Sequence, residues 1–317
     1  MLFINKNKKY KELILKAKQY FQEDDLKESV KYFEEAFKIK ALLADYIMYG
    51  YILIDLFEYN KAEILFNNML EKIDLPEVNF ALANIYERTN RQILALEKYE
   101  KVVDKSPDFE PAHFSLAYIY DDISEENKED LNGENSLKAI KHYEVAIKLN
   151  DKNFWSFLNL GSIYERHNMN EKALDYFLKA YEIDNNKSMI CYNIGVTYYK
   201  LKKYEQALEF YNKELEQENP FKSTFYNLGI LYKEGFKDYD KSKYYYLKGL
   251  ENNEEDYNIW YNLGCIHALL QDYQNAYDCF KYIYYKKKEY LNYLDEDQEL
   301  NEFRQTSYYK QLKIGIN

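Results

Sequence analysis

The residues from which metal or nucleophilic chemistry could be built are four histidines and three cysteines: His113, His142, His167, His267, Cys191, Cys265 and Cys279. A metal site needs ligands at fixed spacing, and nucleophilic catalysis needs a nucleophile, a base and an orienting group that converge. No local spacing here supplies either. The cysteines have no paired spacing, so they give neither a disulfide framework nor a CxxC metal site, and they read as small packing residues in a reducing compartment. One acidic stretch, "DDISEENKEDLNGENSLK" from Asp121, raises the question of calcium. An EF-hand loop needs a Glu six residues after its fixed glycine, and six residues after Gly133 stands Ala139. The stretch reads as a solvated loop. No Gly-rich phosphate cradle is present, and the chain is expected to be non-enzymatic and to need no cofactor or metal.

The elements carrying these residues are helical. The chain of 317 residues is 47% hydrophobic and 18% aromatic, with only 9 Gly and 4 Pro, which favours helices over hairpin turns. A formal net charge of -11, with Lys and Asp/Glu interspersed, argues against nucleic acid as a partner, since that needs clustered cations. The N-terminus "MLFINKNKKYKEL" has too few apolar residues for a secretory signal. The most apolar stretch, Ala41 to Phe57, is interrupted by Asp45 and Asp55 and is shorter than the ~20 residues of a bilayer span. A cytoplasmic protein without membrane contact is expected.

The chain repeats. A small residue on the first helix of each unit recurs as Ala17, Gly50, Ala83, Ala117, Gly161, Gly195, Gly229 and Gly264, at steps of 33, 33, 34, 44, 34, 34 and 35. A second small residue follows on the next helix, as in Ala62, Ala95, Ala173 and Ala207, and four residues after it an aromatic: Phe33, Phe66, Tyr99, Tyr143, Phe177, Tyr211, Tyr246, Phe280. At ~100° per residue, Phe157, Leu160, Gly161 and Tyr164 share one face, the periodicity of a buried stripe. A glycine inside a helix costs ~1 kcal/mol against alanine, so its recurrence implies close packing of two helices. His113 and His267 stand at stripe positions that large packing residues usually fill, and are expected to be core or partly buried histidines.

This pattern resembles the tetratricopeptide repeat, matched in one unit as Phe157, Leu160, Gly161, Tyr164, Ala173, Phe177 and Ala180. The resemblance implies an all-α, right-handed superhelical solenoid of antiparallel helix hairpins. Residues 1–9 are expected as an N-terminal tail, 10–290 as eight repeats with an acidic insertion at about 121–135 in the fourth, and 291–317 as a C-terminal cap. The insertion is expected to be an extended, mobile and dispensable loop. The cap has apolar points at Leu291, Leu294, Leu300, Phe303, Tyr308, Tyr309 and Leu312, and Leu300, Phe303, Arg304, Tyr309 and Leu312 resemble the segment that closes many bacterial arrays of this family. A stacked array needs such a cap because its last layer has one bare apolar face.

In arrays of this family the first helices line the concave side of the superhelix, where peptides lie. Opposite the packing stripe stand Trp155, Asn159, Ser162 and Arg166, and the Asn159 position recurs as Asn193, Asn227 and Asn262. A column of amides offers donors and acceptors to the backbone of an extended peptide. In the N-terminal half the same face carries Ile47, Met48, Tyr51, Ile54, Phe80, Phe114 and Tyr118. A helix that is apolar all round should be buried all round, so that face is expected to be covered by a partner segment, by a second copy of the chain through self-association, or by the chain's own "MLFI" residues. The expected partner groove is thus Met48, Tyr51, Phe80, Tyr118, Asn159, Arg166, Asn193, Asn227 and Asn262. The Lys/Asn/Arg set of the family's carboxylate clamp cannot be placed in any three consecutive units. The reading is an interaction scaffold binding a protein or peptide partner. The alternative is a peptide-sensing regulator acting on a partner enzyme or regulator; the nine residues before the first unit are too few for a helix-turn-helix.

Overall fold

The computed structural model describes residues 2–187, 189–287 and 290–314, and within them the chain is helical, with no strand. It divides into two compact units, Met1–Ser156 and Phe157–Asn317. The first holds four helix pairs: α1 (Leu2–Gln22) with α2 (Leu26–Phe37), α3 (Leu43–Asp55) with α4 (Tyr59–Leu70), α5 (Pro76–Arg88) with α6 (Gln92–Lys105), and α7 (Glu110–Glu126) with α8 (Glu134–Leu149). The second is built from α9 (Phe154–Arg166) and α10 (Asn170–Ile183), α11 (Ile190–Lys200) and α12 (Tyr204–Leu215), α13 (Ser223–Ile230) and α14 (Tyr239–Asn252), and α15 (Tyr257–Leu269) and α16 (Tyr273–Lys286). It ends in α17 (Tyr290–Glu296), two short 3-10 turns and α18 (Ser307–Ile314).

Each pair is closed by the residues that set the period. A Cβ added at Gly50, Gly161, Gly195, Gly229 or Gly264 would come within 3.0 Å of the ring of Phe66, Phe177, Tyr211, Tyr246 or Phe280 respectively. The glycine is thus a seat for the partner helix's aromatic ring, which is itself fully buried. Where the second small residue is serine, its hydroxyl donates to the carbonyl of the first: Ser29 to Ala17 at 2.8 Å and Ser242 to Gly229 at 2.7 Å.

The turns inside the hairpins share one geometry. Asp24, Phe57, Asn90, Lys128, Asn168, Lys202, Lys237 and Gln271 all have φ between 53° and 61°, one in each hairpin. In most of them the next residue's N–H donates to a carbonyl five residues back, as Glu58 does to Leu53 and Asp272 to His267. This is the Schellman end of the first helix. Proteins favour glycine there because an L side chain crowds the backbone, yet none of the eight is glycine.

Three expectations change. Residues 2–9, expected as a tail, belong to α1. The acidic insertion is no extended loop: α7 runs to Glu126, α8 begins at Glu134, and Ser124 and Ser136 are buried face to face with their hydroxyls in contact. Glu129 caps α8, accepting from the Asn135 N–H (2.9 Å), the Asn135 amide and the Ser136 N–H (3.2 Å). These bonds to its ionised form, the Asn135 amide foremost, lower its pKa. Thirdly, the apolar helix α3 is largely covered from inside its own unit. Ile52, Leu53 and Ile54 are buried, while Met48 and Tyr51 are half-buried. The first helices α3 and α5 meet, so α5 covers part of the open face of α3. The side chains of residues 1–5, one expected cover, lie outside the described part.

The last hairpin is closed by the cap. Leu294, Leu300, Phe303 and Leu312 are buried against Phe280 and Ile283 of α16, with Tyr308 and Tyr309 packed beside them. Arg304 pins the segment by donating to the carbonyls of Leu294 (2.9 Å) and Asp297 (2.7 Å). The Leu291 side chain and residues 288, 289 and 315–317 fall outside the described part.

Candidate functional site

In the second unit the expected asparagines occupy successive first helices, Asn159 on α9, Asn193 on α11, Asn227 on α13 and Asn262 on α15, each half-buried. Two of them bond neighbouring groups. Asn227 donates to the Tyr192 hydroxyl of the preceding hairpin at 3.0 Å. Asn262 comes within hydrogen-bonding reach of Tyr226 one hairpin back, and donates to the Asn258 carbonyl of its own helix at 2.9 Å. The tyrosine immediately before each of the last three asparagines (Tyr192, Tyr226, Tyr261) is thus the partner of the next rung, whereas Leu158 precedes Asn159. Sequence reasoning found the asparagines and missed these tyrosines, although the repeated Tyr-Asn dipeptide was there to read. Burial is the main cause that raises the Tyr192 and Tyr226 hydroxyls above the ordinary tyrosine pKa, so they stay neutral hydrogen-bonding groups. Arg166 sits at the end of α9, half-buried.

The ladder has a fifth rung. Asp297 follows Asn262 by the same 35 residues that separate Asn262 from Asn227, and it accepts the Tyr261 hydroxyl at 2.8 Å. Beside it opens a cleft of about 720 Å³. One wall is Tyr226, Asn258, Tyr261 and Asn262 from α13 and α15; the other is Tyr290, Tyr293, Glu296 and Asp297 from the cap.

In the first unit, Tyr51 stands edge-on to Phe66 at 6.1 Å, and Phe80 packs on Tyr99 (5.5 Å) and Phe109 (5.1 Å). These contacts fix the two rings to the packed interior of their hairpins. Burial pushes the Tyr51 hydroxyl up to about 12. Ala81, which stands at the asparagine position, is fully buried, whereas Tyr118 is 52% exposed. The expected apolar groove of this unit is accordingly reduced to Tyr118 and the outer edges of Met48, Tyr51 and Phe80.

Two of the histidines form one cluster and one of the cysteines belongs to another. His113 and His142 face each other across α7 and α8, Nδ1 to Nδ1 at 2.9 Å. His113 Nε2 lies 3.0 Å from the Pro107 carbonyl, which assigns its proton to Nε2 and makes His142 Nδ1–H the donor between the rings. The Tyr120 ring stacks on His142, and its hydroxyl donates to Glu100. Burial lowers the pKa of His113, and burial together with His113, Lys141 and Lys138 brings His142 down to about 4. His113 was expected to be core or partly buried; the pairing with His142 was invisible because the insertion hides their common register. His267 bonds Asp272 in its own hairpin turn at 3.0 Å.

The thiols are buried, and burial pushes Cys191 up to about 11 and Cys279 up to about 12, with Cys265 also raised. None is held as the thiolate that nucleophilic attack requires. The donor atoms of Cys265, Asp297 and Glu299 lie within 4.8 Å of one another, but Lys233 pairs with Glu299 at 2.5 Å and Tyr261 donates to Asp297. Burial works against the Lys233 charge, yet Glu299 raises its pKa on balance. The cluster is a satisfied polar bridge from the seventh hairpin to the cap.

No helix among the described residues is long and apolar enough to cross a membrane. No curated protein sequence matches the chain. Among solved structures, the C-terminal part of a tetratricopeptide-repeat-containing protein from Cytophaga hutchinsonii matches at a TM-score of 0.60 and 16% identity, over 79% of this chain and 99% of that one. PilF from Pseudomonas aeruginosa matches at 0.54 and 19%, over 67% and 91%. A tetratricopeptide repeat protein from Parabacteroides merdae matches at 0.53 and 14%, over 81% and 98%. At such identities these likenesses speak for the fold alone. Models of the tetratricopeptide repeat match the sequence itself at residues 13–41, 156–187, 188–216 and 257–281. With hairpins closed by small residues against buried rings at the same period, the chain carries tetratricopeptide repeats at these residues and has the fold of an array of such hairpins.

Proposed function

We propose that the protein is a non-catalytic interaction scaffold that holds an extended segment of a partner protein along the first helices of its second unit. Tetratricopeptide arrays in general mediate protein–protein interaction. The observation that carries the reading here is the line of half-buried amides Asn159, Asn193, Asn227 and Asn262 running towards the 720 Å³ cleft. Asn227, which gives one N–H to Tyr192, keeps a second donor and its side-chain carbonyl for a ligand backbone. Bonds of that kind give direction and register with little side-chain selectivity. Arg166 lies at the start of this line, and in the first unit Tyr118 with the edges of Met48, Tyr51 and Phe80 forms a separate apolar contact surface. Buried, protonated thiols and a His113–His142 pair packed between two helices support the non-catalytic half of the reading.

A photo-crosslinking amino acid placed at Asn193, and in a second variant at exposed Ile64 on α4, tests it in cells that make the protein. Discrete adducts from position 193 and none from position 64 are expected. Adducts from position 64 alone would move the contact to the second helices of the hairpins and end the groove reading.

A further inference from the structure

The fifth rung of the ladder differs in charge from the other four. Asn159, Asn193, Asn227 and Asn262 are neutral amides, whereas Asp297 takes the same place against Tyr261 as a carboxylate, and Glu296 stands next to it in the cleft. Asp297 Oδ1 accepts the Glu299 N–H at 2.9 Å and Oδ2 the Tyr261 hydroxyl, with the Cys265 thiol at 3.7 Å. All three donors are neutral, so they orient the carboxylate without cancelling its charge. Arg304 approaches from the cap side but donates to the Asp297 backbone carbonyl, and Lys233 is engaged with Glu299. Among the described residues no lysine or arginine side chain forms an ion pair with Glu296 or Asp297.

The walls around this charge are aromatic. Tyr261, Tyr290 and Tyr293 have ring centroids 5.7 to 6.3 Å apart, and Tyr293 meets the other two at 66° and 74°. Rings set steeply against each other form a corner, and the face of an aromatic ring attracts a cation within about 6 Å of its centroid. Tyr293 is 57% exposed, so a corner wall is open to a ligand. An anionic or purely apolar occupant would find two carboxylates in this cleft and no cation to answer it.

We propose that this terminal cleft is a socket for the cationic side chain, lysine or arginine, of the extended partner segment. The proposal rests on the groove reading above and adds the charge of the segment and the place where that charge sits. The amide rungs hold the backbone without regard to sequence; the socket fixes which residue of the segment lies at the cap. It also sets the chemistry of the partner: a segment with at least one basic residue, matched to a chain of net charge -11.

A library of random nine-residue peptides, acetylated and amidated so that no terminus carries charge, panned on the immobilised full chain, tests this. Enrichment of Lys or Arg at one position is expected. Charge reversal by Glu296→Lys, at an exposed residue, should abolish the enrichment, and Tyr293→Ala should weaken a selected peptide roughly five-fold by removing one ring face. Selected peptides that are neutral or acidic, or basic ones indifferent to both substitutions, would overturn the socket while the groove reading stands. Selection of no peptide at all would overturn both.

Discussion

The fourth and seventh hairpins both depart from the common repeat, and they absorb the departure in different ways. From the small residue of the first helix to the ring it receives is 16 residues in the other hairpins, 26 from Ala117 to Tyr143, and 17 from Gly229 to Tyr246. In the fourth hairpin the first helix is longer: its Schellman bond ends on Ser124, four residues beyond Tyr120, where the regular register would place it. Four residues are close to one turn of 3.6, so the added turn keeps its packing face, and Ser124 lands opposite Ser136. A single added residue has no such option, because it would rotate everything after it by ~100°. The seventh hairpin absorbs it on the spot, as a π-helical turn over Leu231–Phe236, the usual form of a one-residue insertion in a helix. That turn carries buried Lys233 to Glu299 in the cap. A long insertion can thus extend a repeat, whereas a short one deforms it and places a side chain where a regular helix would not.

The largest expected effect follows from the fourth hairpin. Replacing Ser124 to Asn135 with a Gly/Ser link removes the buried serine contact, the Glu129 cap and a turn of paired helix. A loss of about 2–4 kcal/mol in denaturant unfolding is expected. A loss under about 1 kcal/mol would mean that the extra turn adds nothing and that the stretch is a loop in all but geometry.

This is also where sequence and structure part company. The hairpins, their period and the cap were legible because packing at Gly161, Phe177 and their equivalents is local and repeats eight times; periodicity averages out the degenerate units. The acidic stretch was misread because composition reports solvation, while Ser124 and Ser136 are brought together only by pairing two helices. The asparagine line was legible for the same reason as the glycines. Its tyrosine partners and the switch to Asp297 were not, because each bond joins neighbouring hairpins and the last rung lies beyond the repeats that define the register. The π turn had a faint signature in the 35-residue step from Gly229 to Gly264.

A smaller effect is expected from pH, again in the fourth hairpin. His142 is depressed to about 4 in the folded chain against about 6.5 when unfolded, so acid protonates the unfolded form first. Stability from this group is complete above about 6.5 and is lost as pH falls towards about 4. After discounting for partial exposure, about 1–2 kcal/mol is at stake. His113, also depressed, adds in the same direction. Glu110, Lys138, Lys141 and Glu100 through Tyr120 are the charged groups around the pair. His142→Asn keeps a donor towards His113 and removes the titration, so urea midpoints measured between pH 7 and 4.5 should fall less steeply than in the parent. Equal slopes would show that the pair does not sense acid, and would leave the seventh hairpin as the more consequential departure.

The smallest expected effect compares the two hairpins at their turns. Lys128 and Lys237 close the fourth and the seventh in the left-handed region, at φ 53° and 56°. A side chain there costs roughly 1–2 kcal/mol, whereas glycine adopts that conformation freely. Glycine also makes the unfolded chain more flexible, which returns ~0.4–1 kcal/mol. Lys128→Gly and Lys237→Gly should therefore each raise stability by a few tenths to about 1 kcal/mol, read as a small rise in Tm. The seventh hairpin should gain no less than the fourth, since Asp238 after its turn still donates to the Tyr232 carbonyl at 2.9 Å, within the π segment. If Lys237→Gly destabilises while Lys128→Gly stabilises, the lysine side chain is holding the π turn in place, and the insertion in the seventh hairpin depends on its turn in a way that the one in the fourth does not.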